Sequence, residues 1–291
     1  MAEGRIIKAI SGFYYVENEE GTFQCRGRGN FRKRGISPLV GDWVVFEAEN
    51  RTDGYVLDVK ERQNELIRPP IANIEQALLV FSAKEPDFSP ILLDRLLVHT
   101  EAHDLDTVIC VTKTDLGLTA SDEEKLAVYE EIGYPVHRTA MDDEQALQEF
   151  RPVLQGKVSV LAGQSGVGKS SLMNQLRPEL ELETNEISSS LGRGKHTTRH
   201  VELLPLPEGG YVADTPGFSS LDFDGIEAET LSHFYPEMAA RIQECKFRAC
   251  THRSEPKCAV RTAVEDGDIA DFRYTSYLQF YDEIANTKRR Y

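Results

Sequence analysis

Alternating apolar and polar residues dominate the first part of the chain. Runs of β-branched and aromatic residues, separated by Gly, Asn, Asp or Pro, occupy residues 6–10, 13–16, 22–25, 43–46 and 55–59. Such closely spaced short strands predict a β-barrel of the OB type. Many OB barrels bind nucleic acid, but others bind saccharides or proteins, so the fold alone leaves the ligand open.

Apolar runs alternate with amphipathic stripes after residue 74, which predicts a doubly wound α/β domain. We expect strands at residues 75–81, 107–111, 157–162, 201–206 and 211–213, and helices at residues 90–103, 121–132, 142–150 and from 171. The segment Arg68-Pro69-Pro70 marks a linker between the barrel and this domain. We therefore predict a barrel at residues 1–68, an α/β domain at residues 69–222 and a mostly helical C-terminal domain at residues 223–291.

A glycine-rich segment directly follows the strand at residues 157–162 and matches the P-loop pattern. In this pattern the glycines turn backbone N–H groups toward the β- and γ-phosphates, Lys169 supplies a cation, and the Ser170 hydroxyl ligates Mg²⁺. The preceding strand and the Lys-Ser ending favour a nucleotide site over a glycine-rich turn that only caps a helix. The binding residues expected here are Gly163, Gln164, Ser165, Gly166, Val167, Gly168, Lys169, Ser170 and Ser171.

The tetrapeptide Thr112-Lys113-Thr114-Asp115 ends a second apolar strand and reads as a guanine-specificity motif. At the carboxyl edge of a parallel sheet, the Asp115 carboxylate can accept both N1–H and N2–H of guanine, a pair of donors that adenine does not offer there. Asp115 therefore indicates GTP and disfavours a kinase or ATPase. Alone, the tetrapeptide is better explained by an Asp-ended loop after a strand, but the presence of the P-loop favours the guanine interpretation. Thr139 and Ala140 resemble the loop that backs the guanine ring.

Further segments complete the predicted nucleotide site. Asp214 and Gly217 form a D-x-x-G motif, in which Asp214 can hold the Mg²⁺ shell and the Gly217 N–H can sense the γ-phosphate. Residues 191–199 have the glycines and charges of a switch segment, and either Thr197 or Thr198 is expected to ligate Mg²⁺. Because the guanine tetrapeptide precedes the P-loop, the reverse of the usual GTPase order, the chain is predicted to contain a circularly permuted GTPase domain.

The catalytic group is not the usual one. In many GTPases a Gln follows D-x-x-G and orients the attacking water, but Phe218 stands here and has no hydrogen-bonding group. His196 is the nearest candidate in sequence, since a neutral imidazole can position or deprotonate the water. The alternative is a surface histidine in a loop.

Three cysteines and one histidine cluster in the C-terminal region. Three thiolates and an imidazole give the tetrahedral set that structural Zn²⁺ prefers, and with four protein ligands no position remains for a substrate. The ligands expected are Cys245, Cys250, His252 and Cys258. The alternative is a set of free thiols. Cys25 and Cys110 stand apart, which argues against a disulfide framework.

The charge is segregated along the chain. The net charge is −15, yet residues 1–68 carry 11 Lys+Arg and 11 Asp+Glu, and residues 69–291 hold the remaining 22 and 37. A basic segment without acids lies inside the barrel sequence, and we predict that it follows an RNA backbone while Phe31 stacks on a base. A solvated basic hairpin is the alternative. The RNA-contacting residues expected are Arg26, Arg28, Arg32, Lys33 and Arg34.

The motif order resembles that of the RsgA family, the bacterial GTPases that depend on the small ribosomal subunit. A small β-domain comes first, followed by the guanine motif, Thr-Ala loop, P-loop, switch, D-x-x-G and cysteine cluster, and the Gly-x-Gly-x-His-Thr-Thr stretch at residues 192–198 is the most family-specific element. The resemblance covers essentially the whole chain. It implies late assembly of the small subunit, slow hydrolysis of GTP to GDP that the subunit stimulates, contact with its rRNA, and a catalytic His196.

Composition agrees with this resemblance. The chain has 291 residues and 40% apolar content, enough for several packed domains, and no apolar stretch approaches the length of a membrane span. Its first residues lack the features of a secretory signal. We expect a cytoplasmic monomer that does not contact a membrane and that uses GTP, GDP, Mg²⁺ and one structural Zn²⁺. The alternative function is an RNA-binding assembly chaperone for which nucleotide is only a structural ligand.

Overall fold

The computed structural model describes residues 1–29, 31, 35–67, 69–141, 143–177, 201–213 and 221–288. The first strands close into a barrel in the order β1-β2-β3-β5-β4, with β1 paired to β4. Each strand covers its predicted run and extends beyond it. The strands are β1 (Ala2–Ile10), β2 (Phe13–Asn18), β3 (Gly21–Gly27), β4 (Trp43–Asn50) and β5 (Asp53–Val59). The prediction of an OB-type barrel is confirmed, because this strand order and closure are those of the OB fold.

The predicted linker is packed against the barrel. Short strands β6 (Glu65–Leu66) and β7 (Ile71–Ala72) pair antiparallel, and Ile71 also forms a bridge with Val40. Pro69 is buried between them. Burial of Ile71 and Ala72 holds the chain against the barrel directly after the predicted linker at residues 68–70. The boundary at residues 68 and 69 falls inside this paired segment and stays a prediction.

A six-stranded sheet forms the centre of the molecule, in the order β10-β9-β8-β11-β13-β12. Its strands are β8 (Gln76–Ser82), β9 (Asp106–Thr112), β10 (Val136–Arg138), β11 (Val158–Ala162), β12 (Leu203–Pro205) and β13 (Tyr211–Ala213). Neighbours run parallel except β12, which pairs antiparallel to β13. All residues of the central strands β8 and β11 are buried, as expected for a sheet covered on both faces.

Helices connect these strands as the sequence pattern predicted. They are α1 (Pro90–Ala102), α2 (Ala120–Ile132), α3 (Glu144–Leu154) and α4 (Lys169–Leu176). Asp143 caps α3 by accepting a hydrogen bond from the Ala146 N–H at 3.0 Å, so that helix begins after residue 142. Strand β10 was expected only as a loop, because three half-buried residues at a sheet edge give too short a pattern to recognise.

The C-terminal region is helical, as predicted. Its described elements are a 3₁₀ helix (Ala228–Phe234), α5 (Pro236–Ala239), a second 3₁₀ helix (Ile242–Glu244), α6 (Ala259–Glu265) and α7 (Asp271–Lys288). An apolar cluster that includes Tyr235, Met238 and Phe280 forms its core. None of the described helices combines the length and the apolar character that a bilayer-spanning segment requires.

A buried polar network fastens this region to the α/β domain. Asp94 of α1 is fully buried and accepts hydrogen bonds from Arg273 and Ser276 of α7 and, at 2.6 Å, from the Tyr129 hydroxyl of α2. Arg273 also donates to Glu237 at 2.7 Å. The two regions are thus held together by an ion pair closed to solvent, Asp94 with Arg273, and by a nearly buried one, Arg273 with Glu237.

Candidate functional site

Three sequence motifs meet at one edge of the sheet. The P-loop follows β11, the guanine tetrapeptide follows β9, and Thr139 and Ala140 follow β10. Because β10, β9, β8 and β11 are parallel neighbours, their carboxyl ends lie at the same edge, where open α/β sheets bind ligands. The fold therefore brings together motifs that lie far apart in sequence.

The P-loop backbone depends on glycine at the positions that make its turn. Gly163 has φ +144°, and a Cβ there would lie 2.0 Å from the Val80 carbonyl oxygen of β8. Gly168 has φ +93° at the start of α4. Larger residues would clash or strain the backbone, so these glycines are required for the shape of the loop.

Lys169 points back into the loop. Its Nζ donates to the Gly163 and Gln164 carbonyl oxygens at 2.8 and 2.5 Å. Burial lowers the pKa of Lys169 to about 8, and phosphate charges beside the ammonium would raise it again. Ser170 is also buried, at the first turn of α4. The arrangement is a cation at a helix N-terminus, which suits a polyphosphate.

The guanine tetrapeptide is bonded to the P-loop. The Thr112 hydroxyl donates to the carbonyl oxygens of Phe81 and Val167, and Lys113 Nζ donates to those of Gly166, at 2.8 Å, and Glu85. The Thr114 N–H donates to the Thr139 carbonyl oxygen at 3.3 Å, and Asp115 lies exposed in the following 3₁₀ turn. The base-reading and phosphate-binding segments therefore form one connected unit.

A small open pocket lies between these segments. Met141, Leu172 and Gln175 line it and were not among the residues expected from sequence. Leu172 and Gln175 lie one turn apart on α4, so the helical spacing after the P-loop is the sequence signal that could have identified their common face. The remaining lining residues are Thr112, Lys113, Thr139, Ala140, Gly168 and Ser171.

Several predicted site residues lie outside the described part of the chain. They are His196, Thr197, Thr198, Asp214, Gly217, Arg32, Lys33 and Arg34. Strand β13, which pairs with β11, is described up to Ala213, the residue before Asp214. The roles of these residues stay predictions.

The four sulfur and nitrogen ligands expected in the C-terminal region come together. Ligand atoms of Cys245, Cys250, His252 and Cys258 all lie within 4.8 Å of one another. His252 Nδ1 is 3.6 Å from Cys245 Sγ and 3.3 Å from Cys258 Sγ, and the two sulfurs are 4.0 Å apart. A tetrahedral zinc with Zn–S of about 2.3 Å and Zn–N of about 2.0 Å separates its ligand atoms by roughly 3.5–3.8 Å. The cluster therefore fits a tetrahedral cation.

Surrounding groups hold this cluster in shape. The Tyr274 hydroxyl donates to the His252 carbonyl oxygen at 2.6 Å, and the Tyr277 hydroxyl donates to that of Thr251 at 2.7 Å. Burial raises the pKa of Cys250 to about 12. A cation would favour the thiolate form, so metal binding at this cluster would release protons.

The basic segment of the barrel is only partly described. Arg26 lies over the Phe13 ring at 5.1 Å, and Arg28 pairs with Glu47 at 3.2 Å in a half-exposed ion pair. Phe31 is 4% exposed and packs into the barrel core. The prediction that its ring stacks on a base is therefore wrong, because burying the ring in the barrel is more favourable than exposing it.

Other aromatic rings are available on the barrel surface. Trp43 and Tyr55 are each 43% exposed, and Tyr55 stands opposite Arg26 in the β3–β5 register. The alternating pattern of β5 is the sequence signal that could have placed Tyr55 on the outer face.

Comparisons with known proteins identify a family. A family model described as RsgA GTPase matches residues 59–224, and one described as RsgA N-terminal domain matches residues 3–56. A protein of Halalkalibacterium halodurans named small ribosomal subunit biogenesis GTPase RsgA is 58% identical over 294 residues, which span 100% of this chain and 99% of the relative. A protein of the same name from Shouchella clausii is 60% identical over 295 residues, with 100% of both chains covered.

Solved structures show the same architecture. The crystal structure of YloQ, described as a circularly permuted GTPase, has a TM-score of 0.85 and 50% identity and covers 100% of this chain and 97% of its own. YjeQ from Thermotoga maritima has a TM-score of 0.86 and 37% identity, with 97% and 98% covered. The permuted motif order predicted from the sequence is thereby confirmed.

Proposed function

Because this chain belongs to the RsgA GTPase family, we propose that it hydrolyses GTP to GDP and phosphate in the biogenesis of the small ribosomal subunit. The observation that carries the proposal is 58% and 60% identity, over the full chain, to proteins that bear this function in their names. The bonding of the guanine tetrapeptide to the P-loop supports the choice of nucleotide. Bacterial ribosomes are assembled in the cytoplasm, so we place the protein there, as a monomer.

The nucleotide-binding edge supplies the groups for the reaction. Lys169 and the P-loop N–H groups bind the β- and γ-phosphates, Ser170 ligates Mg²⁺, and Asp115 reads guanine. We assign Asp214 and one of Thr197 and Thr198 to the Mg²⁺ shell, and the Gly217 N–H to the γ-phosphate. His196 orients or deprotonates the attacking water. Mg²⁺ would neutralise charge on the transferring phosphoryl group.

The thiol cluster would hold one structural Zn²⁺. Two buried thiols, the half-buried thiol of Cys245 and His252 Nδ1 match zinc in number and spacing. The zinc would stabilise the C-terminal domain, since no ligand position remains for a substrate.

Barrel and C-terminal domain would act as a clamp on ribosomal RNA. The barrel provides Arg26, Arg28 and the segment at residues 32–34, whose charges suit a phosphate backbone. We infer that GTP favours the gripping state and that hydrolysis releases the subunit, because D-x-x-G runs directly into the C-terminal domain in this motif order.

The central test is the rate of GTP hydrolysis with and without purified small subunits. We expect subunits to raise the rate, and equal rates would contradict the proposal. The alternative, an RNA chaperone with nucleotide as a structural ligand, is separated by Lys169→Ala, which weakens nucleotide binding, and His196→Ala, which slows hydrolysis. If both variants bind and release subunits as the parent does, the chaperone is correct and the clamp is not.

A further inference from the structure

A row of side chains on the barrel faces the edge of the GTPase sheet. In the barrel register, Arg5 of β1 stands opposite Glu17 of β2 and opposite Trp43 of β4. Directly paired residues on neighbouring strands project from the same face of a sheet. Glu17, Arg5 and Trp43 therefore form one row across three strands, and we call it the barrel row.

Tyr211, the first residue of β13, is held by this row. Its hydroxyl donates to Glu17 Oε2 at 2.6 Å, and the Arg5 guanidinium lies 5.7 Å from its ring centroid and 4.9 Å from that of Trp43. Burial and the Glu17 carboxylate raise the pKa of Tyr211 to about 12. The phenol is therefore protonated at neutral pH and remains a donor.

A second contact joins the same two parts of the chain. Lys8 of β1 pairs with Glu202 through a backbone bridge and through an ion pair of 2.7 Å. Glu202 directly precedes β12, the antiparallel partner of β13. The barrel thus contacts both strands of one hairpin.

This hairpin lies between the two segments that respond to nucleotide. In sequence, Glu202 comes four residues after Thr198, and Tyr211 comes three residues before Asp214. Tyr211 begins β13, which pairs with β11, and the P-loop directly follows β11. The barrel therefore contacts the strand that directly precedes Asp214 in sequence.

We propose that Glu17 and Arg5 of the barrel are positioning residues for GTP hydrolysis, which hold Tyr211 and thereby set the strand that leads into Asp214. RNA on the barrel then alters the hydrolysis rate through this contact, and nucleotide in turn alters the barrel. The effect of RNA on the hydrolysis rate rests on the proposed function, whereas the contact between the barrel and Tyr211 does not.

Strand β2 gives the coupling a physical route. Phe13, at its first residue, lies under the Arg26 guanidinium in the basic segment, and Glu17 lies near its other end. A ligand that draws Arg26 away from Phe13 therefore acts on the same strand that bonds Tyr211. The coupling along this strand is directly measurable.

Trp43 provides that measurement without ribosomes. It is the chain's only tryptophan and stacks on Arg5, so its fluorescence reports on the barrel row. Exchanging GDP for a non-hydrolysable GTP analogue with Mg²⁺ should shift the emission of the full-length protein, because coupling between two binding sites is reciprocal. Tyr211→Phe, which removes one oxygen atom, and Glu17→Ala should abolish the shift, whereas Glu17→Gln, which keeps an acceptor, should retain it.

Hydrolysis supplies the second measurement. With saturating small subunits, Tyr211→Phe and Glu17→Ala should lose about fivefold or more of the stimulation seen in the parent, and the double variant should lose no more than the worse single variant. Glu49→Ala, at an exposed glutamate of β4, is the control for loss of one charge and should behave as the parent. Thermal unfolding checks that each variant is folded.

The outcomes separate the two proposals. The positioning role is overturned if the Trp43 emission does not change with the bound nucleotide. It is also overturned if small subunits stimulate Tyr211→Phe as much as they stimulate Glu49→Ala. If Trp43 responds to nucleotide but subunits do not stimulate the parent, the contact is retained and the proposed ribosomal function fails.

Discussion

Replacing Arg273 by Met should destabilise the protein strongly. Arg273 has 1% side-chain exposure and forms ion pairs with Asp94, at 0%, and with Glu237, at 9%. Methionine preserves much of the volume but removes the charge and the hydrogen bonds. Two carboxylates that are nearly closed to solvent then lack their cation.

The expected loss follows from this geometry. Removing one partner of a buried ion pair costs about 3–5 kcal/mol, because the remaining charge is neither solvated nor paired. The hydrogen bonds to Asp94 from Ser276 and from Tyr129 at 2.6 Å remain, which places the loss toward the lower end of that range. An exposed ion pair contributes only about 0–1 kcal/mol to the free energy of unfolding, so the loss expected for the buried pair is readily distinguished from that of an exposed pair.

The loss should also depend on pH. Burial already raises the pKa of Asp94, while Arg273, Ser276 and Tyr129 oppose that rise. Without Arg273, the pKa of Asp94 in the folded state rises further above the unfolded value of about 3.9. A group whose folded pKa is raised contributes stability below its unfolded pKa and loses it as pH rises through its folded pKa. The variant should therefore be closest to the parent in acid and furthest from it at neutral and alkaline pH.

Urea unfolding followed by circular dichroism at about pH 5 and about pH 8 tests both statements. Arg261→Met is the matched control, since its ion pair with Glu265, at 3.7 Å and one helical turn away, is exposed. We expect the control to lose at most about 0.5 kcal/mol at either pH. A loss below about 1 kcal/mol for Arg273→Met, or one that does not shrink in acid, would refute the reasoning.

Four further predictions concern the assigned sites. Guanine nucleotides should bind at least about tenfold more tightly than adenine nucleotides in equilibrium titrations, and Asp115→Asn should shift preference toward xanthine; equal affinity for GTP and ATP would remove the guanine assignment. Metal analysis should find about one Zn²⁺ per chain, and Cys250→Ser should lower it while GDP still binds; a stoichiometric iron–sulfur cluster would contradict this. His196→Ala should slow hydrolysis by about 10²-fold in single-turnover assays and leave GTP affinity within a few-fold of the parent's; a rate equal to the parent's would show that His196 has no role in hydrolysis. Alanine at residues 32–34 should flatten the log–log salt dependence of subunit binding by about two to three units; an unchanged slope would place the RNA contact elsewhere.

Local pattern was sufficient for the longer strands, the helices of the α/β domain and the nucleotide motifs, but not for the short strands β6, β7 and β10. The barrel strands and the predicted α/β elements occur where their apolar periodicity placed them. The spacing of the cysteines and the histidine in the sequence was enough to predict the thiol cluster. The side chain of Phe31 was misplaced because its neighbours in sequence are basic, whereas its neighbours in space are the apolar side chains of the barrel. Periodicity identifies the face of a strand but not the burial of a residue in a loop.

Contacts between distant parts of the chain gave no sequence signal. Asp94 and Arg273 each read as an ordinary charged residue on an amphipathic helix, and only the packing of α1 against α7 shows that both are buried. The same holds for Glu17 and Tyr211, which are separated by 194 positions. Met141 was not predicted for a related reason: a residue can line a pocket without belonging to any sequence motif.

The separation of Asp94 from Arg273 also bears on how the protein is made. The two residues lie 179 positions apart, and at about 5–20 residues per second a ribosome takes roughly 10–40 s to travel that distance. For this interval helix α1 has left the ribosome without the cation that its buried carboxylate requires. The barrel, whose strands end at Val59, can fold early in elongation, whereas burial of Asp94 in the α/β domain is disfavoured until α7 has been synthesised. A nascent chain that stops before residue 273 should consequently be at least as unstable as Arg273→Met and more readily cut by proteases.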